Sequence, residues 1–173
     1  MRRPVIVDTN VAMVANAALE PDAEWDPECV HACVEAIAET MAAGRLVLDD
    51  LGLILEEYGR QLGHAGMPGL GHAFAKWAFD HQYDERVCTR VPITPHEGSF
   101  REFPADPELA EFDHSDRKFV AAALAHEPPP PPILQAVDSK WWGLRHALEA
   151  AGVVVSFVHE PTIRALHERK VRP

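Results

Sequence analysis

Short aliphatic runs recur along this chain, none longer than a strand, and most are followed by a segment whose apolar residues fall at helical spacing. The runs are PVIV at 4–7, RLVLD at 45–49, ILQAVD at 133–138 and VVVSFV at 153–158. Strands that alternate with helices predict right-handed crossovers and a mostly parallel sheet covered on both faces, that is, an α/β fold built as a three-layer sandwich around about five strands. With 173 residues, the chain is long enough to bury one core, and residues 1–173 are expected to form a single domain.

Periodicity and end signals locate the helices. Segments 9–19 and 27–43 read as helices, the second closing at Gly44 in the position of a C-cap. Leu51, Ile54, Leu55, Tyr58 and Leu62 share one helical face in 51–62, with Asp49 or Asp50 available to cap its start. A further helix at 68–83 carries Leu70, Phe74, Trp77 and Ala78 on one side. SDRKFVAAALAH is expected to be a helix opened by Ser115, and SKWWGLRHALEAAG a helix closed at Gly152. Between residues 86 and 107, Pro92 and Pro95 restrict RVCTRVPIT to an edge strand or an irregular arm. The run of prolines from Pro128 to Pro132 favours a stiff surface connector leading directly into the next strand.

Several function classes are disfavoured at once. No apolar stretch is long enough to span a membrane, and the few aliphatic residues between the N-terminal arginines and Asp8 are too short for a signal-peptide core, so the chain reads as cytoplasmic. Three cysteines do not make a disulfide framework, and Cys29 and Cys33 are spaced as core-facing thiols on one helix rather than as half of a zinc finger. The formal net charge of −11 argues against gripping nucleic acid by bulk electrostatics. It leaves room for a nucleic-acid enzyme whose acids converge on cations, because bound metal reverses the local field.

Acids do recur where a parallel sheet binds its ligands, beyond the carboxyl ends of the strands. Asp8 ends the first aliphatic run and Asp138 ends a later one, each followed by a small hydroxyl residue, Thr9 or Ser139. Asp116 opens the helix beginning at SDRKF, with Asp113 one turn earlier, and either Glu56 or Glu57 could reach the same edge from the LILEEY helix. Singly, each is explained by helix capping or a solvated surface. Together, carboxylates at one edge raise one another's pKa unless a cation neutralises them, and hard oxygen donors select Mg²⁺ or Mn²⁺. Metal-assisted phosphodiester hydrolysis is the natural chemistry of such a site.

These residues resemble the PIN-domain ribonuclease family. The resemblance rests on VIVDTNV, LILEEY, DHSDRKFVAAALA and AVDSKWW followed by GVVVSFV, spread in the family's order over nearly the whole chain. It implies that Asp8, Glu57, Asp116 and Asp138 are the catalytic and metal-binding acids, that Asp113 matches an additional acid of some members, and that Thr9, Asn10 and Ser139 support the carboxylates. Glu57 is preferred to Glu56 because Ile54, Leu55 and Tyr58 surround it in the family's pattern. The resemblance further implies Mg²⁺- or Mn²⁺-dependent cleavage of single-stranded RNA, frequent homodimers, and for many small members the role of a toxin blocked by an antitoxin protein. The rival expectation is a PIN-like binding module without activity. Arg117 and Lys118 are expected to be ordinary charge on a helix surface, with phosphate contact the alternative, and at least one of Trp141 and Trp142 to lie in the core.

Overall fold

The computed structural model describes residues 3–173; Met1 and Arg2, the start of the N-terminal basic segment, lie outside them. The chain is α/β, and its main sheet has five parallel strands: β1 (Arg3–Val7), β2 (Gly44–Asp49), β3 (Cys88–Val91), β6 (Ile133–Gln135) and β7 (Val155–Phe157). Their order across the sheet is β3-β2-β1-β6-β7. A two-stranded hairpin, β4 (Pro95–His96) and β5 (Ser99–Phe100), occupies the 86–107 arm, whose leading segment supplies β3 as an edge strand. Proline keeps the arm from extending the sheet further, as its lack of an N–H requires.

Consecutive residues Val5, Ile6 and Val7 of β1, and Leu46, Val47 and Leu48 of β2, are buried. In a strand, successive side chains point to opposite faces, so unbroken burial means that both faces are covered. The helices α1 (Thr9–Asn16), α2 (Pro27–Ala43), α3 (Leu53–Leu62) and α4 (Leu70–His81) pack among themselves, while α5 (Arg117–Ala125) lies against β2 and β6. The sandwich is completed by α6 (Ser139–Gly143), α7 (Arg145–Ala150) beside β7, and α8 (Glu160–Val171) against α6. Helix α8 has no counterpart in the sequence reading, since Ile163 is the one member of it that is fully buried. Among the described residues, no helix is long and apolar enough to cross a membrane.

Several boundaries differ from expectation for local reasons. Helix α3 begins at Leu53 rather than residue 51 because Gly52, at φ 78°, makes a left-handed reversal after β2 that only glycine adopts without strain. Asp49 then caps it, accepting from the N–H groups of Leu53 at 2.9 Å and Ile54 at 2.8 Å, while Asp50 accepts from Ile93 N–H at 3.1 Å. Helix α5 begins at Arg117, and Ser115 does not cap it: the Ser115 hydroxyl donates to Asp113 at 2.8 Å. The expected single helix after Asp138 is two, α6 and α7, broken at Leu144 just after Gly143. Strand β6 stops at Gln135, so Asp138 caps α6 instead of ending a strand. Pro128 and Pro129 are exposed as a surface connector should be, but Pro131 is buried and the Pro132 carbonyl accepts from Ile6 N–H at 2.9 Å.

Gly71 sets how closely α4 approaches α1. A Cβ added there would lie 2.0 Å from the backbone oxygen of Ala12, which cannot swing aside as a side-chain tip would. Gly71→Ala is therefore expected to separate the two helices and cost about 3 kcal/mol, read from urea denaturation. An unchanged midpoint would show that α1 and α4 yield freely.

Candidate active site

The carboxyl edge of β1 and β6 collects the acids. Asp8 follows β1 directly and is 5% exposed, with one oxygen accepting from Asn10 N–H at 3.0 Å as the α1 cap and the other from the Gln135 side-chain amide at 2.9 Å. Gln135, fully buried at the end of β6, also accepts from the Asn10 side-chain amide and from Ala136 N–H at 3.0 Å. Asn10 in turn accepts from Ala136 N–H at 3.0 Å. The ends of two adjacent strands are thus tied together around Asp8. The sequence reading missed Gln135; its only signal is an amide interrupting an otherwise aliphatic strand.

Tyr58 pins α3 to this edge, donating its buried hydroxyl to the Val7 carbonyl at 2.5 Å. One residue earlier, Glu57 is carried inward while Glu56 stays exposed. The buried Thr9 hydroxyl donates to one Glu57 oxygen at 2.6 Å, and the ammonium of Lys118 donates to the other. Thr9 therefore orients the helix acid rather than Asp8.

Asp116 sits at the start of α5 and accepts from the indole N–H of Trp141 at 3.3 Å. Trp141 is fully buried, edge-on to Phe112 at a 5.0 Å centroid distance. Its neighbour Trp142 faces the other way, with Arg145 4.2 Å and Arg164 5.7 Å from the centre of its ring. The expectation that one of the pair is core holds. Asp138 caps α6 through Lys140 N–H at 3.0 Å, and Asp113 lies 3.6 Å from the Lys140 ammonium. Ser139 is buried at the start of α6.

Electrostatics record the convergence. Burial and the nearby charges of Asp116 and Glu57 push the Asp8 carboxyl up to about 8, against the opposing hydrogen bonds from Asn10 N–H and Gln135. Burial, with the charges of Asp138, Asp113 and Glu57, raises Asp116 to about 6 against the opposing hydrogen bond from Trp141. Asp8 and Asp116 therefore feel acids from other segments: Glu57 of α3 acts on both, and Asp138 of the β6–α6 turn acts on Asp116. Such a cluster at a sheet edge is the pattern associated with functional sites.

Arg117 and Lys118 correct the expectation of surface charge, for they are 8% and 7% exposed. Arg117 donates to the backbone carbonyls of Phe112 at 3.2 Å and Ala110 at 2.8 Å, holding the arm against α5, so it is not placed for phosphate. Lys118 enters the acid cluster. Its ammonium donates to Glu57 and to the Ser115 carbonyl.

As donors, these oxygens suit a hard divalent cation. Among the described residues, however, no three His, Cys, Asp or Glu side chains stand together as a ready-made metal cage. Asp8, Glu57, Asp116 and Asp138 each accept a hydrogen bond from a donor of the chain itself. Cys29 and Cys33 are both fully buried on α2. No protein-family model, curated protein or solved structure matches this chain.

Proposed function

We propose that this chain is a divalent-metal-dependent nuclease of PIN-like type that cleaves phosphodiesters of single-stranded RNA. The observation that carries the reading is that acids from separate segments meet at the carboxyl edge of a parallel sheet, where Asp116 and Glu57 press on Asp8, and Asp138, Asp113 and Glu57 press on Asp116. Keeping carboxylates crowded in a poorly hydrated place costs stability, and a cation recovers it.

Asp8, Asp116 and Asp138 would hold Mg²⁺ or Mn²⁺, which when bound supplies an activated water and offsets charge on the phosphate oxygens. The chain's own residues supply the order. Gln135 and Asn10 fix Asp8, and the Trp141 indole fixes Asp116. Glu57, clamped between Thr9 and Lys118, would complete the metal's shell or position a water. Asp113, in the turn before α5, would add its charge beside Asp116, and Ser139 opens α6 next to Asp138.

A second reading, a PIN-like binding module without activity, draws on the Lys118–Glu57 ion pair, which already neutralises one acid of the cluster. The two are separated by incubating the chain with end-labelled single-stranded RNA in Mg²⁺, Mn²⁺ or EDTA. The nuclease reading expects metal-dependent cleavage that EDTA abolishes and Asp116→Asn lowers by at least about a hundredfold, the upper range for disturbing supports around a metal. Cleavage that survives both chelation and substitution overturns the mechanism. RNA binding with no cleavage under any metal supports the module.

A further inference from the structure

Arg117 is a buried charge that no acid answers. It is 8% exposed, and its guanidinium lies 4.6 Å from the centre of the Phe103 ring. Two of its N–H donors go to backbone carbonyls, Nε to Phe112 and Nη2 to Ala110, whereas Nη1 makes no hydrogen bond among the described residues and is not sealed from solvent. No carboxylate among the described residues stands within ion-pair distance of it. Its neighbour Lys118, similarly buried, is matched by Glu57. As the first residue of α5, Arg117 also meets the partial positive charge of the helix start. A charge taken out of water without an opposite charge is costly, and backbone carbonyls offset only part of that cost.

Arg117 borders a cleft of about 450 Å³ on the side of the arm. The walls are largely apolar, with Phe103, Pro104, Pro107 and Leu109, and none of Asp8, Glu57, Asp116 or Asp138 lines it. A cleft of this size, apolar apart from a few fixed polar groups, has the make-up of a small-molecule site. The guanidinium selects an anion, and the surroundings select which. Asp106 lines the cleft too, its carboxylate held by Glu108 N–H at 2.8 Å, and the whole chain carries a formal charge of −11. Both oppose a dianion more than a monoanion. His114, also at the cleft, is bonded through Nδ1 to the Gly98 carbonyl at 3.0 Å. A planar guanidinium matches the two oxygens of a carboxylate, and apolar walls favour one carried on a hydrophobic body.

We propose that this cleft binds a small organic acid, a carboxylate on an apolar body, and that Arg117 receives the carboxylate. The site shares no residue with the acid cluster, so the inference stands apart from the nuclease reading.

The test needs neither metal nor RNA. Benzoate, its uncharged analogue benzamide, and inorganic phosphate are each titrated into the isotope-labelled full chain in EDTA while the assigned amide resonances are followed. Benzoate is expected to displace the amides of residues 103–117 saturably, binding at least about tenfold more tightly than benzamide or phosphate. Arg117→Met keeps an apolar stem against Phe103 and is expected to bind benzoate no better than benzamide. Asp106→Asn retains an acceptor for Glu108 N–H, removes the opposing charge, and is expected to tighten benzoate about two- to fivefold. If Arg117→Met does not fold, the wild-type preference and Asp106→Asn decide. The inference is overturned if benzoate causes no saturable displacement or only displacement outside the cleft, if benzamide binds equally, or if phosphate binds more tightly. It is equally overturned if a folded Arg117→Met keeps the preference for benzoate, or if Asp106→Asn leaves benzoate affinity unchanged.

Discussion

Between about pH 4 and pH 8, the metal-free protein is expected to lose stability as the pH rises, and Mn²⁺ to restore it. Asp8 titrates near 8 and Asp116 near 6 in the folded chain, both above the 3.8 of an unperturbed aspartate. In that interval, the folded state holds protons that the unfolded state has released, so stability falls with rising pH. The contribution is fully present below about pH 4, is lost for Asp116 by about pH 6 and for Asp8 by about pH 8. Each unit of the window removes at most about 1.4 kcal/mol per group, which makes the Asp8 contribution on the order of 5 kcal/mol. Asp84 and Asp113, held below the usual carboxylate range by Arg86 and Ser115 respectively, change charge mainly below this window. Thermal melts across pH 4.5–8 with EDTA or with Mn²⁺ are the check; Asp8→Asn should flatten the metal-free slope and abolish most of the Mn²⁺ shift, which by mass action is about 2.7 kcal/mol at one hundred times Kd. A flat wild-type profile in EDTA would mean that Asp8 is charged without penalty and the cluster is not what holds it.

Trp141→Ala is expected to destabilise the fold by about 3–5 kcal/mol, and Trp142→Ala, whose ring is only partly buried, by much less. Adjacent tryptophans thus differ because one turn of α6 presents them to opposite surroundings. Trp141→Phe separates packing from hydrogen bonding: the ring still fills the space beside Phe112, but the N–H to Asp116 is gone. That variant should melt close to wild type at acid pH, where Asp116 is protonated, and fall behind above about pH 6 as Asp116 charges without its donor. Equal losses from Trp141→Ala and Trp142→Ala, measured by urea denaturation, would contradict the burial that distinguishes them.

The strands were legible because aliphatic runs of strand length suit burial on both faces of a parallel sheet: β6 and β7 lie inside the runs that predict them, and β1 and β2 each begin one residue earlier than expected. Asp8, Glu57 and Asp116 were legible as a group because each begins or lines a helix at the same edge. What escaped was polar and interior. Gln135 reads as one amide in ILQAVD, and nothing local says that its side chain will be closed in by Asp8 and Asn10 from 125 and more residues away. Lys118 and Arg117 follow Asp116 as charge follows charge on many exposed helices; their burial is set by the arm folding over α5 and by Glu57 arriving from α3, both long-range events. Helix α8 was invisible for the reverse reason: its apolar pattern is too sparse to register, and its place is fixed by packing on α6.

The first strand of the chain lies in the middle of the sheet, with Arg3 opposite Gly44 on one side and Ile6 opposite Ile133 on the other. During vectorial synthesis, the β1–β2–β3 half can assemble early, while the other flank of β1 waits for β6 and β7 to leave the ribosome. Asp8 and Glu57 belong to the early half; Asp116, Gln135 and Asp138 arrive with the late one. Any chemistry that depends on their meeting is therefore withheld from the nascent chain, however long translation pauses, and begins only when the final strands close the sheet.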